Sequence, residues 1–320
     1  MKRGVTGLVV ALLVLTGTVA FAQGPRRSQE DGLSVLYPWV ISSSTFETLI
    51  GVARPDAFAA IPVLPIHLNF YNNDCTKLDR HDELTVFDVD VYVAGSFALG
   101  GIAGGRGGHL DLHIESAGTT DAFFNAAPRQ ELIGEAVVAA LSLGTWAGYS
   151  AVPNQHLTTG EAQNLRLAAP SFFGAIPGVV DPLLVLAIGP QSNPTAPAEN
   201  RRTLDSPTGF PTSTQTTTVD VLIFNSKEVP HSSRVTYRCG LTLFLDELDP
   251  IALAQNLPIQ TTPPILDYPH GWVHLLLTGP ADGGAGRNWF TDGVLMQSLA
   301  FGTFKGMSIT NLWHNVPGPQ

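Results

Sequence analysis

Cysteine is scarce in this chain, which has only two, Cys75 and Cys239, among 320 residues. They stand far apart, so no Cys-x-x-Cys-His motif exists and covalently attached c-type haem is excluded. Long apolar runs are also missing after the N-terminus. We therefore expect no transmembrane segment in the mature chain, since a spanning helix needs about 20 consecutive apolar residues.

The N-terminus carries the features of a secretory signal peptide. Lys2 and Arg3 precede a short apolar run over residues 7–19, which ends at the cleavage-type sequence Ala20-Phe21-Ala22. This order of a basic segment, a short apolar segment and an Ala-x-Ala site is typical of exported proteins. The sequence predicts a leader over 1–22, a flexible segment over 23–32, and export to the periplasm or outside the cell, with attachment at the cell surface left open.

Basic residues are few, with 17 Lys and Arg against 27 Asp and Glu. Without Lys2 and Arg3 of the leader, 15 basic residues remain against 27 acidic ones, a net charge of −12. Such a surface repels polyanions, which argues against nucleic acid or an anionic membrane as a partner.

Familiar catalytic signatures are absent as well. The sequence has no Gly-x-Ser-x-Gly elbow and no His-Glu-x-x-His helix. The glycine-rich stretch 95–108 lacks the Gly-Lys-Ser/Thr of a phosphate-binding loop, so a surface loop is the better interpretation. No cofactor is implied.

Strand patterns run through the chain. Side chains alternate between apolar and polar over 66–71, 86–93 and 109–115, which is the period of a half-buried strand. Abundant glycine and proline favour many turns. We expect a mainly β fold, an antiparallel β-sandwich, forming one domain over 33–315. The runs 66–71 and 86–93 are expected to pair as a long hairpin with Phe87, Val89 and Val91 facing the core.

One region departs from this pattern. Residues 128–143 show an apolar stripe at helical spacing after Pro128, which suits a first helical turn. Together with the Pro-, Ser- and Thr-rich stretch 190–218, it suggests an insertion at about 95–218 that carries a helix and long loops. A second, shorter helix is predicted over 159–168 and a third over 250–256.

Cys75 and Cys239 are expected to form a disulfide, because an even and low cysteine count in an exported chain indicates pairing. The alternative is two buried free thiols. The bridge would join the strands that precede the insertion to those that follow it.

His109, Asp111 and His113 alternate with apolar residues on one predicted strand. Three such side chains on one face could bind a metal ion. The alternative is an amphipathic strand whose apolar partners alone account for the pattern.

The segments Tyr37-Pro38-Trp39, 47–52 and 67–71 resemble exported bacterial proteins with a β-sandwich-like body. The resemblance covers about a quarter of the chain. It implies export and strands, and it supplies no catalytic residue.

Three functional hypotheses follow. The first is a non-enzymatic exported protein with a structural, adhesive or ligand-binding role at the cell envelope, whose partner is a surface protein or a glycan. The second is a metal-dependent hydrolase that uses His109, Asp111 and His113. The third is a self-assembling surface or filament subunit that pairs through the Tyr37-Pro38-Trp39 edge and the C-terminal strand.

Overall fold

The computed structural model describes residues 34–54, 63–73, 76–97, 107–114, 132–153, 166–172, 180–189, 217–225, 230–237, 239–248, 270–278, 290–301 and 304–314. Eighteen strands lie in these ranges. They are β1 Ser34–Val40, β2 Phe46–Ala53, β3 Val63–Asn72, β4 Lys77–Thr85, β5 Val89–Val93, β6 Gly108–Ile114, β7 Ile133–Ala140, β8 Thr145–Ser150, β9 Val152–Pro153, β10 Arg166–Phe172, β11 Val180–Gly189, β12 Thr217–Asn225, β13 Pro230–Tyr237, β14 Gly240–Phe244, β15 His270–Thr278, β16 Phe290–Phe301, β17 Phe304–Asn311 and β18 Trp313–His314. A 3-10 turn spans Ala94–Phe97, and one helical turn, α1, spans Leu245–Leu248.

The strands form four antiparallel sheets, which confirms the prediction of a mainly β, sandwich-like fold. Sheet N1 has the order β4-β3-β6-β1-β9 and sheet N2 the order β5-β2-β7-β8. Sheet C1 has the order β13-β12-β15-β10-β18 and sheet C2 the order β14-β11-β16-β17. Adding nine to each strand number of N1 and N2 gives C1 and C2. The described chain is therefore two nine-stranded sandwiches of identical topology.

Local details repeat with the topology. The backbone N–H of Ala151 donates to the carbonyl of Gly134 at 2.8 Å, and Leu312 donates in the same way to Gly293 at 3.0 Å. Each bond lies at the corner where a strand leaves one sheet of its sandwich for the other, β8 to β9 and β17 to β18. Since the same corner is built twice, the two sandwiches match residue by residue there.

The N-terminal sandwich closes over an apolar core between N1 and N2. Ile66, Leu68 and Phe70 of β3 face this core, as their alternation predicts. Two tyrosines tie the sheets across it. The Tyr37 hydroxyl donates to Gly51 O at 2.8 Å, and the Tyr149 hydroxyl donates to Trp39 O and accepts from Trp39 N at 3.2 Å. Burial raises the pKa of both phenols, so they stay protonated donors.

The two sandwiches pack against each other through N1 and C2. The face of β11 and β16 that points away from C1 carries Leu183, Val185 and Val294, which are buried in the same cluster as the N-terminal core. Strands β1 and β6 lie on this face. At the edges, the Asn311 side chain donates to Ser150 O at 2.8 Å and places β17 beside β8.

The predicted helix at 128–143 is wrong. Residues 133–140 form β7, between β2 and β8, and Ala136, Val138 and Ala140 are buried at every second position. Both faces of this stretch are apolar, so its composition fits a helical stripe as well as a strand, and pairing in the sheet decides. Residues 166–168, the described end of the helix predicted at 159–168, lie in β10. The helix predicted at 250–256 lies outside the described residues, as do the leader and residues 23–32.

The proposed insertion also changes. Strands β6 to β11 and the first residues of β12 lie within 95–218 and contribute to all four sheets. This stretch thus links and builds both sandwiches, and the expected single sandwich with a helix-bearing insertion becomes two sandwiches packed face to face.

The expected hairpin pairs differently. The partner of β3 is β4, which occupies the predicted turn, whereas β5 pairs with β2 in the opposite sheet. Tyr92 of β5 faces the core, and Val89 and Val91 face outward. Period-two alternation separates two faces, but it does not say which face is the inner one. The Tyr37-Pro38-Trp39 segment lies beyond the two residues of β1, Val35 and Leu36, that pair with β9, and the backbone N–H and carbonyl of Trp39 are bonded to the Tyr149 hydroxyl.

The equivalent glycines allow a direct test of the shared corner. A Cβ at Gly134 would overlap the Tyr37 hydroxyl and lie 2.9 Å from the Ala151 Cβ, and a Cβ at Gly293 would overlap Val185 O and lie 2.9 Å from Leu186 Cδ2. We expect Gly134→Ala and Gly293→Ala each to lower the free energy of unfolding by about 1–3 kcal/mol in urea titrations.

The matched control is Gly51→Ala in β2, whose Cβ would meet only Glu135 O, at an ordinary 3.5 Å. We expect Gly51→Ala to change the free energy of unfolding by no more than about 0.5 kcal/mol. Equal effects at all three glycines would contradict the assigned corner packing.

Candidate functional site

The outer face of sheet N1, which points away from N2, carries polar and aromatic side chains. The strand register places Asn69 of β3 beside Asp111 of β6, and Tyr71 beside His109. Polar groups on a strand usually mark a solvated face. Here the opposite holds, because His67, Asn69, Tyr71, His109 and Asp111 are all buried.

Two ring pairs order this buried polar face. His67 stacks on His81 of β4, with ring centroids 4.2 Å apart and planes inclined by 17°. Tyr71 stacks on His109, with centroids 5.3 Å apart and planes inclined by 20°. Both are cross-strand neighbours, so the sheet register brings the rings together.

Sheet C2 covers the buried polar face. The Asn73 side chain, just after β3, donates to the Thr242 hydroxyl of β14 at 3.3 Å. A Cβ on Gly240 would lie 2.6 Å from Asn73 Oδ1 and 3.5 Å from His109 Nδ1. A side chain at this position would have to displace the Asn73 amide, so glycine favours the observed approach of β14.

The predicted metal ligands lie on this face in part. His109 and Asp111 share one buried face of β6, as their spacing predicts. The side chain of His113 is outside the described residues. Among the side chains that the structure describes, no group of three or more His, Cys, Asp or Glu is arranged to hold a metal ion. The metal site at His109, Asp111 and His113 stays a prediction.

The outer face of sheet N2 is the exposed apolar surface of the N-terminal sandwich. Val89 and Val91 of β5 are 64% and 63% exposed. The other large apolar side chains exposed on N2 are Leu49, Val93, Ile133 and Trp146. Leu49 pairs with Val93 across β2 and β5, so they form one patch rather than scattered residues. Contiguous exposed apolar patches are more typical of interaction surfaces than scattered apolar residues are.

The outer face of sheet C1 presents a second exposed feature. Phe224 of β12 stacks on Trp272 of β15 with centroids 4.1 Å apart and planes inclined by 8°, and Trp272 is 42% exposed. Nearby on the same face, Arg234 binds Asp220 through two hydrogen bonds of 2.6 and 3.2 Å. The hydrogen bond from Arg234 holds the pKa of Asp220 below its usual value, so the pair remains charged and mutually neutralised.

Neither exposed feature was anticipated as a site. The signal in the sequence was the unusual run Phe87, Val89, Val91 and Val93, which was assigned to the core. Comparing the two halves would have added a second signal, since residues 66–72 (IHLNFYN) and 219–225 (VDVLIFN) occupy the same strand positions of the two sandwiches.

No protein-family model, curated protein or solved structure matches this chain. Within the described part of the chain, every helix is too short to cross a membrane.

A glycine exchange tests the contact between the sandwiches. Gly240→Val places a branched side chain where a Cβ would already lie 2.6 Å from Asn73 Oδ1 and 3.3 Å from Leu186 O. We expect it to lower the free energy of unfolding by about 2 kcal/mol or more, since overpacking forces the sheets apart. Urea unfolding followed by tryptophan fluorescence measures this.

The reverse change, Val89→Gly, serves as the control, because Val89 occupies the matching position of N2 and is exposed. We expect it to lower the free energy of unfolding by at most about 1 kcal/mol, which is the ordinary cost of glycine in a strand. If Gly240→Val unfolds at the wild-type urea concentration, the close approach of β14 is not as described.

Proposed function

We propose that this protein is an exported, non-enzymatic component of the cell envelope that works by surface contact, through the outer face of sheet N2. The observation that carries the proposal is the patch of exposed apolar side chains on that face, with Val89 and Val91 at its edge. A soluble chain gains nothing from exposing such a patch unless a partner covers it.

The chemistry of the face favours a protein partner over a glycan. The described residues of this face are almost entirely apolar or small, apart from the carboxylates of Glu47 and Glu135 and the hydroxyl of Ser150. Sugar recognition needs many hydrogen-bonding groups, whereas a flat apolar sheet face matches a second apolar protein surface.

The burial of titratable side chains is consistent with a non-enzymatic role. His109, Asp111 and His113 are the residues that sequence patterns single out for chemistry; His109 and Asp111 are buried, and His109 lies against Gly240 of sheet C2. A catalytic group must reach a substrate, and a buried sheet-to-sheet contact gives no such access. These side chains instead build the interior between the two sandwiches.

The location rests on the N-terminal sequence, whose leader over 1–22 predicts export. Cell fractionation tests both the location and the surface. We expect the mature chain, starting at Gln23, in the envelope fraction, and we expect Val91→Glu to weaken its cosedimentation with isolated envelopes about tenfold or more, since burying a charge in an apolar contact is costly.

The control is Leu141→Glu, which adds the same charge at an exposed apolar residue in the turn after β7. It should cosediment like the wild type. Equal binding by Val91→Glu and the wild type would contradict the proposal, as would substrate turnover that is lost on replacing a single histidine or carboxylate.

We also propose that Cys75 and Cys239 form a disulfide across the contact between the sandwiches. Asn73, two residues before Cys75, reaches Thr242, three residues after Cys239. Cys239 is buried beside Gly240 at the closest approach of the two sheets. The two cysteines therefore belong to segments that the structure brings together, and export provides the oxidising compartment.

Peptide mapping without reduction tests this bond. We expect one cross-linked peptide that holds both cysteines, and we expect Cys75→Ser with Cys239→Ser to lower the free energy of unfolding by about 2–5 kcal/mol. Full alkylation of both thiols in exported protein before reduction would show that the bond does not form.

A further inference from the structure

The two sandwiches are equivalent position by position, and this equivalence extends to their outer faces. Tyr71 and His109 of N1 correspond in register to Phe224 and Trp272 of C1, and both pairs are stacked rings. Leu49 of N2 corresponds to Leu183 of C2, because β2 and β11 are matching strands and each leucine lies directly before the matching inward-facing residue. Each sandwich thus has two outer faces: one on N1 or its counterpart C1, and one on N2 or its counterpart C2.

Within the chain, one face of each type is used. The outer face of N1 packs against the outer face of C2, so Tyr71, His109 and Leu183 are all buried. The contact is heterologous, because it joins two different surfaces of two equivalent bodies. A heterologous contact leaves one unused surface of each kind, and it can repeat.

The two unused faces are the two exposed features. The outer face of N2 is the counterpart of the buried face of C2, and Leu49 is exposed where Leu183 is buried. The outer face of C1 is the counterpart of the buried face of N1, and Trp272 is exposed where His109 is buried. Among the described sheets, exposure therefore differs at matching positions because one face of each kind is covered by a neighbouring sheet and the other is not.

We propose that the outer face of N2 in one copy packs on the outer face of C1 in a second copy, which repeats between chains the contact that joins the two sandwiches within the chain. This rests on the proposed function and names the partner of its contact surface as another molecule of the same protein. Copies then associate head to tail.

The chemistry of the two faces suits this pairing. In the chain, Gly240 and Thr242 of β14 lie over the polar pair of His109 and the Asn73 segment. Between copies, the matching residues of β5 are Val89 and Val91, and they would lie over the aromatic pair that contains Trp272. The faces of N2 and C1 carry apolar side chains where the matching faces of C2 and N1 carry polar or small ones. The contact between copies would therefore be driven by apolar burial.

Edge strands also join the two sandwiches. Strand β17 is the counterpart of β8, and the two lie side by side, joined by the Asn311 to Ser150 hydrogen bond. This edge contact joins matching strands and is made within the chain, so the proposed contact between copies rests on the sheet faces alone.

Sedimentation velocity on the mature chain over a concentration series tests the proposal. We expect the wild type to assemble into species larger than a monomer as concentration rises. Val91→Glu removes the N2 surface, Trp272→Glu removes the C1 surface, and each variant alone should stay monomeric, because a buried unpaired charge opposes the contact. Val91 is 63% exposed, so Val91→Glu should unfold thermally like the wild type, whereas Trp272→Glu loses the stacking on Phe224 and should unfold cooperatively at a slightly lower temperature.

The decisive sample is an equimolar mixture of the two variants. Val91→Glu keeps an intact C1 surface and Trp272→Glu keeps an intact N2 surface, so the mixture should form dimers and nothing larger. Leu141→Glu, away from both faces, should assemble like the wild type. A mixture that stays monomeric, a wild type that stays monomeric, or a single variant that still dimerises with itself would overturn the head-to-tail contact.

The envelope experiment separates this inference from the proposed function. If the wild type is monomeric while Val91→Glu loses envelope binding, the contact surface stands and its partner is a different protein. If the wild type assembles while Val91→Glu binds envelopes normally, the contact between copies is supported and the proposed role of this face at the envelope is contradicted.

Discussion

The burial of one sheet face, the outer face of N1 under sheet C2, is the constraint on which the rest of the structure depends. It places His109 and Asp111 in an interior although their strand alternates like a surface strand. It favours glycine at position 240, where a Cβ would displace the Asn73 amide. Because buried polar groups destabilise a fold unless neighbours satisfy them, this face is fixed in register as well as in position.

The same contact explains why two equivalent sandwiches look different in sequence. Matching positions carry Tyr71 and His109 in one sandwich but Phe224 and Trp272 in the other, since only the first pair is covered by the partner sheet of the chain. The topology is thus repeated, while the matching outer faces differ in composition and in exposure.

Sequence patterns predict the strands well and their arrangement poorly. The alternation over 66–71, 86–93 and 109–115 identifies β3, β5 and β6 as strands correctly, because a period of two is a local property. It also gives the inner face of β6 correctly, with Leu110 and Leu112 in the core, but it reverses the faces of β5, since burial is decided by strands far away in sequence. Residues of β7 mimic a helix because both of its faces are apolar. Of the candidate site, the spacing of His109 and Asp111 predicts their shared face, but alternation puts Val89 and Val91, which are exposed, in the core.

The account is tested most directly by hydrogen–deuterium exchange of the full mature chain at low and high protein concentration. It predicts that amides of β6 and β14 are equally protected at both concentrations, because their contact lies within the chain. It predicts that amides of the edge strand β5 exchange more slowly at high concentration than at low, because a contact between copies opposes the local opening of this strand. Exchange of β5 that does not change with concentration would contradict it, and so would rapid exchange throughout β6 and β14.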